Sequence, residues 1–263
     1  MGIASHVRRI SPRFWFQCKF LRYKFYNGER ELWLMRDLLR DCELALDIGS
    51  SIGLYSRELS RHARKVVAFE ANPRVAAFAR SVAPRNVEVM NFALSSSAGE
   101  KVLHVPLNRR HNTIDDLATI EPKNPVGATE GVSEKVTTRR LDDFGFTHCG
   151  FIKIDVEGHE EAVLDGAAQL IRNERPIMMI ELEDRHNAGT VERVINRLAG
   201  LSYSAYRLGN KCLSPVAAFD PQMRPQVGTI DSLSPRRRTT PTANFIFVPE
   251  GAGARIPPRL LAA

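Results

Sequence analysis

Leu44-Ala-Leu-Asp-Ile-Gly-Ser-Ser-Ile-Gly-Leu-Tyr-Ser56 reads as an apolar strand closed by an acid, a glycine turn, and the opening of a helix. That order brings a backbone close to an adenosine-type cofactor. The glycine spacing separates the candidates. A dinucleotide fingerprint needs G-x-G-x-x-G, and a P-loop needs a lysine and a Ser or Thr after its glycines. Here the pattern is D-x-G-x-x-x-G, from Asp47 through Gly49 to Gly53, with Ser51 where the middle glycine would fall and no lysine following. A carboxylate at Asp47 would repel a pyrophosphate but suits a cationic amino-acid moiety. The reading is a turn for S-adenosylmethionine (SAM), with Asp47, Gly49, Ser51 and Gly53 as contacts.

Working outward, Lys65-Val-Val-Ala-Phe-Glu70 is a second strand closed by an acid, and Pro73 suits the first turn of a helix over 74–81. Glu70 stands 21 residues beyond Gly49, the separation at which an acid ending the second strand reaches a ribose diol. Residues 87–94 make a third strand whose C-terminal end would flank an adenine, so Asn91, Phe92 and Ala93 are candidate contacts. Phe151-Ile-Lys-Ile-Asp-Val-Glu-Gly-His-Glu160 reads as a buried parallel strand, a turn at Gly158, and a helix over 160–171. Asp155 therefore sits at a strand's C-terminal end, the edge where open α/β sheets bind ligands. Lys153 lies two residues earlier on the same face. A lysine in a buried strand needs a carboxylate partner, and Asp155, Glu181 or Asp47 can serve. Residues 177–183 form a fifth strand ending in acids, Glu181 among them, and 201–208 with 244–248 a final pair.

The whole chain, 263 residues with 43% hydrophobic and 25% charged side chains, is ordinary for a soluble globular protein and long enough for one sizeable core. Its net charge of +7 is concentrated at one end: residues 1–30 hold seven basic side chains against Glu29. The remainder is nearly neutral, which argues against a broad nucleic-acid-binding face. Residues 6–26 mix those charges with aromatics, and on a helix Phe14, Cys18, Leu21 and Phe25 share one side. Such a segment either packs on the core with snorkelling arginines or lies on anionic lipid. No run of about 18 apolar residues and no cleavable leader is visible. Cys18, Cys42, Cys149 and Cys212 stand far apart, as buried or indifferent thiols in a reducing cytosol. Residues 31–39 read as an amphipathic helix, and 101–105 as an edge strand. Residues 106–135 are long, polar and aperiodic, which means disorder or a substrate lid. A Pro-rich loop carries Arg236-Arg-Arg238.

These elements together resemble the FkbM family of class I SAM-dependent methyltransferases. The resemblance rests on Asp47-Ile-Gly-Ser-Ser-Ile-Gly-Leu-Tyr-Ser56, Phe69-Glu-Ala-Asn-Pro73, Asn91-Phe-Ala-Leu94 with Gly99-Glu100, Leu141-Asp-Asp143, Ile152 to Glu160, and Asn244-Phe-Ile-Phe-Val-Pro249. It departs from the family pattern at Ser50-Ser51, where Ala-Asn is common, and at Ala71, where proline is common. The fold implied is α/β and Rossmann-like: a mostly parallel seven-stranded sheet with helices on both faces and a terminal antiparallel strand. The domain implied spans 31–249 with 106–135 as a lid insertion, preceded by a basic aromatic extension at 1–30 and followed by a loose tail at 250–263.

The activity implied is methylation of a hydroxyl on a sugar of a glycolipid, lipid-linked glycan or oligosaccharide, or on a polyketide-type natural product. Removing the hydroxyl proton falls to Asp155 or His159. Asp155 has the better position, His159 the better intrinsic pKa, and Glu181 could orient either. Mg²⁺ bridging Asp155 and a substrate diol would suit hard carboxylate oxygens, but no third ligand is visible and no metal ligand is assigned. The partner expected is a saccharide or glycolipid rather than a nucleic acid, with peripheral membrane contact through 6–26 at the inner face of a cytoplasmic membrane. An RNA ribose methyltransferase and a non-catalytic SAM- or glycan-binding protein are the rivals. A nicotinamide oxidoreductase lacks its G-x-G-x-x-G and Y-x-x-x-K.

Overall fold

A computed structural model describes residues 11–27, 29–122, 124–209, 212–216, 244–251 and 260. The Arg236–Arg238 loop and most of the tail fall outside these residues. Helix α1 (Pro12–Arg22) leads through a π-turn to a 3-10 turn (Arg30–Leu34) and the short α2 (Met35–Leu38). The alternation then begins: β1 (Cys42–Ile48), α3 (Leu54–Leu59), β2 (Ala63–Phe69), α4 (Pro73–Val82), β3 (Val87–Met90) and β4 (Ala93–Leu94). Next come β5 (Gly99–Pro106), β6 (Gly131–Arg139), β7 (Cys149–Ile154), α5 (Glu160–Gly166), α6 (Ala168–Glu174) and β8 (Ile177–Glu181). The chain closes with α7 (Thr190–Ala199), β9 (Tyr203–Leu208), β10 (Leu213–Pro215) and β11 (Asn244–Pro249).

The main sheet runs β10-β9-β11-β8-β7-β1-β2-β3. Strands β8, β7, β1, β2 and β3 are parallel, while β11, β9 and β10 are antiparallel. The seven expected strands are present, and β10 adds an eighth at the edge. Four stretches depart from expectation. The strand read at 87–94 breaks at Asn91, and its second part, β4, leaves the main sheet to pair with β6. There β6 also takes β5 antiparallel, making a separate three-stranded sheet. Strand β6 begins inside the stretch expected to be aperiodic: Gly131 to Lys135 is exposed, and a strand without a buried face carries no apolar alternation. The helix expected over 31–39 is instead the 3-10 turn joined to α2, and the one over 160–171 breaks between α5 and α6 at Ala167.

Both sheet faces are covered. On one, Val163 and Leu164 of α5, Ile171 of α6, and Val191, Val194 and Leu198 of α7 pack on Leu46, Ile152 and Ile180. On the other, Leu32, Met35 and Leu38 join Tyr55 and Leu59 of α3 against Ala45, Phe151 and Met179. Each of these large apolar side chains contributes about 1.5–3 kcal/mol on burial, and burial on both faces explains why the central strands lack a period of two. The N-terminal extension packs on the domain: Phe16 of α1 is buried with Ile52, Val75 and Val82.

Register sets up the chemistry. Met90, Phe69, Ile48, Ile154 and Ile180 lie opposite one another across five strands. The residues that follow them (Asn91, Glu70, Gly49, Asp155 and Glu181) therefore form a row along the C-terminal edge.

Candidate active site

At the centre of that row the chain approaches itself backbone to backbone. Gly49 has φ +79°, and a Cβ there would lie 1.7 Å from the Asp155 carbonyl oxygen. Only glycine fits, for both conformation and space. The Gly49 and Ser50 amides donate to the Phe69 carbonyl, and the Asp155 amide donates to that of Ile48. Gly53, also left-handed at φ +89°, caps α3.

Two residues before the edge, Asp47 and Lys153 are register partners on the same face. Asp47 is fully buried; Ser56 Oγ donates to its Oδ2 at 2.5 Å, and its Oδ1 has no hydrogen-bond partner. Burial raises its carboxyl pKa, while Lys153 and the Ser56 hydroxyl pull it back. The Lys153 ammonium, itself 2% exposed, donates to Asp155 Oδ2 at 2.7 Å and sits 4.6 Å from the centre of the Tyr55 ring. Burial alone would lower the lysine pKa, but the carboxylates of Asp155, Asp47 and Glu29 outweigh it and the net shift is upward. Of the three partners open to Lys153, Asp155 makes the direct contact and Asp47 adds its charge.

Glu70 has its two oxygens engaged by main chain: Oε2 accepts from the Ser51 amide at 2.8 Å, and Oε1 from the Asn72 amide at 2.7 Å. Burial pushes its pKa up to about 7 against the pull of those amides. Asn91 clamps this loop, its Nδ2 donating to the Glu70 and Ala71 carbonyls at 2.7 and 2.9 Å. Phe92 stands at the rim of an aromatic cluster with Phe144, Phe146 and Phe69, in which Phe144 and Phe146 stack at 5.5 Å. Ala93 is buried in the core of the small sheet.

On the other side of Asp155, a second group of acids gathers. Asp155, Glu157, Glu160, Glu181, Glu183 and His186 enclose about 10 Å³. Burial, with neighbouring carboxylates, raises the pKa values of Glu157, Glu160 and Glu181; for Glu181 the neighbours are led by Asp155. His186 Nε2 lies 3.3 Å from both Glu157 and Glu183, and Arg185 pairs with Glu183. Among the described residues, no three His, Cys, Asp or Glu side chains are placed to hold a metal ion.

His159 is not part of this cluster. Its Nε2 lies 2.9 Å from Ser95 Oγ and its Nδ1 3.0 Å from Glu121, and burial lowers its pKa. The side chain fastens the 106–135 segment to the start of α5. Where described, that segment bonds to its surroundings: Thr119 and Asn124 donate to the Glu157 carbonyl at 2.8 and 2.6 Å, and Asp116 accepts from Ser51 Oγ at 2.9 Å. It forms a wall from the glycine turn to the acid cluster.

A group absent from the sequence reading is Glu29. Its carboxylate accepts from Tyr23 at 3.0 Å, from Tyr55 at 2.5 Å and from Asn244 Nδ2 at 2.9 Å. The extension thus reaches the site, with Tyr55 linking Glu29 to Lys153. The only sequence signal is a lone acid among basic residues.

A buried carboxylate with one oxygen free of partners at Asp47, a second carboxylate at Glu70, and a glycine turn that admits no side chain between them make a seat for a cationic adenosyl group. The residues present fit it.

A crystal structure of methyltransferase FkbM from Methylobacillus flagellatus KT aligns with 89% of this chain and 52% of its own length, at 18% identity and a TM-score of 0.51. The chain thus spans about half the length of that protein, and the likeness is one of fold. A precorrin-6y C5,15-methyltransferase from Geobacter metallireducens GS-15 (16% identity, 70% of this chain, 77% of that one) aligns with a TM-score of 0.42. An rRNA methylase from Streptococcus thermophilus (11% identity, 82% and 91%) also aligns at 0.42. No curated protein matches the sequence. Residues 47–208, which contain the glycine turn, the Glu70 and Asp155 strand ends and the wall between them, match the methyltransferase FkbM domain, and the chain belongs to the FkbM family of SAM-dependent methyltransferases.

Proposed function

We propose that the chain is an O-methyltransferase acting on a hydroxyl of a sugar in a glycolipid, lipid-linked glycan or oligosaccharide, with Asp155 as the general base. One observation carries the reading. Asp155 is a strand-end carboxylate held on one oxygen by a buried ammonium while its side chain stays 28% exposed. SAM supplies a methyl group on a sulfonium, transferred in line to an incoming oxygen. The chain's own residues do the rest. Asp47 and Glu70 bind the donor's cationic and ribose portions. Lys153 fixes the Asp155 rotamer and balances its charge. Asp155 accepts the hydroxyl proton as the oxygen attacks, a role that contributes typically 10²–10⁴-fold.

The surrounding acids favour a polyhydroxylated acceptor. Carboxylate groups accept hydrogen bonds from vicinal hydroxyls and discourage an anionic phosphate backbone. After β7 the chain reads Asp155-Val-Glu-Gly158 rather than N-P-P-[YF], the usual base-amine motif. On this reading the enzyme works in the cytoplasm, at the inner leaflet where a lipid-linked saccharide is exposed. The test is transfer of labelled methyl from SAM to a glycolipid extract, with total RNA and a polyketide panel in parallel. Label in the glycolipid, lost in Asp155→Ala while SAM binding persists, supports the reading. Label in RNA alone, or normal turnover by Asp155→Ala, overturns it.

A further inference from the structure

We propose that the outer side of α1, continued through the turn to Trp33, docks on an anionic phospholipid bilayer. This deepens the glycolipid reading and rests on it only for its purpose, not for its test. Helix α1 divides its aromatics between two sides. Phe16 and Phe20 are buried, whereas Phe14, Leu21 and Phe25 are 62, 50 and 58% exposed, and Tyr26 and Trp33 are 84 and 53% exposed. Positions 14, 21 and 25 follow helical spacing, so they share one side. The Phe25 and Trp33 rings meet edge to face at 5.4 Å, joining that side to the next turn. Single exposed apolar side chains need no explanation, but five within twenty residues, two of them in ring contact, do.

Charge selects the partner. Between residues 11 and 40 the exposed charged side chains are all arginines, at 13, 22, 30, 36 and 40. The acids of the same stretch are withdrawn: Glu31 is 1% exposed, Glu29 bonds inward to Tyr23, Tyr55 and Asn244, and Asp37 is half-buried. Exposed aromatic and leucine side chains in a stretch whose exposed charges are arginines are suited to the interface of an anionic leaflet, where rings enter the headgroup layer and guanidinium groups meet phosphate. The inner side of the same segment carries Tyr23 and Glu29 to the strand-end crevice. Docking therefore sets that crevice beside the lipid surface, where a membrane-borne acceptor presents its sugar.

The full chain is sedimented with vesicles of phosphatidylcholine alone and of phosphatidylcholine with one-third phosphatidylglycerol. Roughly tenfold stronger binding to the anionic vesicles, weakening as salt is raised, is the expected result. The triple variant Phe14→Ser, Leu21→Ser, Phe25→Ser should lose it while still binding SAM. The double variant Arg22→Glu, Arg36→Glu, which leaves the apolar side untouched, should lose it independently. Equal recovery with both vesicle types, no binding, retention of binding by the double variant, or binding to RNA in place of vesicles would each overturn the proposal. The assay uses neither SAM nor acceptor, so it can fail while methyl transfer to a detergent-solubilised glycolipid succeeds, and the reverse.

Discussion

The two halves of the strand-end crevice handle acidic side chains in opposite ways. On the β1–β2 side, Asp47 and Glu70 are answered by a serine hydroxyl and two backbone amides. On the β7–β8 side, Asp155, Glu157, Glu181 and Glu183 crowd together and are offset by Lys153, Arg185 and His186. The donors of the first half, a hydroxyl and two amides, are neutral, and the cation that acts on it is Lys153 through Asp47. In the second half the carboxylates outnumber the cations, and their crowding with burial raises the pKa values of Glu157 and Glu181. Lys153 stands between the halves, touching Asp155 and facing Asp47.

Removing that cation is the most severe way to break the contrast. Lys153→Met leaves two carboxylates uncompensated, and stability should fall by about 3–5 kcal/mol, read by denaturant unfolding. A change below about 1 kcal/mol would mean that the halves are not held together by this charge. Asp155→Ala strikes only the second half: turnover should drop at least about 10²-fold with SAM affinity changed less than about threefold in calorimetry. Gly49→Ala strikes the first half through its backbone. The collision with the Asp155 carbonyl and the left-handed φ should cost about 3 kcal/mol and weaken SAM binding, seen as a lost thermal shift on adding SAM.

A gentler test uses protons. Glu70 titrates near 7 when folded, against an ordinary 4.5, so between these values the folded state holds a proton that the unfolded state has released. Its stabilising contribution is complete below pH 4.5 and lost as pH rises through 7, a change on the order of 3 kcal/mol. Glu70→Gln should flatten that part of the melting-temperature profile; an unchanged slope would assign the effect to the other half. The smallest effect is expected for the positioning residue Glu29. Glu29→Gln should alter kcat by roughly threefold to tenfold, shift its pH profile and leave SAM affinity intact. A loss of folding stability without a kinetic change would make it merely structural.

The crevice was legible in the sequence where an acid ends an apolar run. Glu70, Asp155 and Glu181 close buried strands whose apolar runs announce them, and parallel pairing brings them to one edge, with Asp47 two residues inside it. His159 was not placed by the same logic, because the residues after a turn can face either way and Ser95 and Glu121 decide which. Glu29 was unreadable for a different reason. Its meeting with Asn244 joins positions 215 residues apart, and neither segment carries a local pattern that names the other. The start of β6 and the break at Asn91 were hidden because a small sheet with an exposed face buries too little to leave a hydrophobic signature.

The contact between Gly49 and the Asp155 carbonyl has a mechanical corollary. Side chains can accommodate a neighbour by changing rotamer, but two peptide units pressed together can only travel as one. Any adjustment of the Gly49 turn must carry the Asp155 peptide with it. On the roles proposed for Asp47 and Asp155, saturating the donor site should therefore be detectable in the affinity for the acceptor.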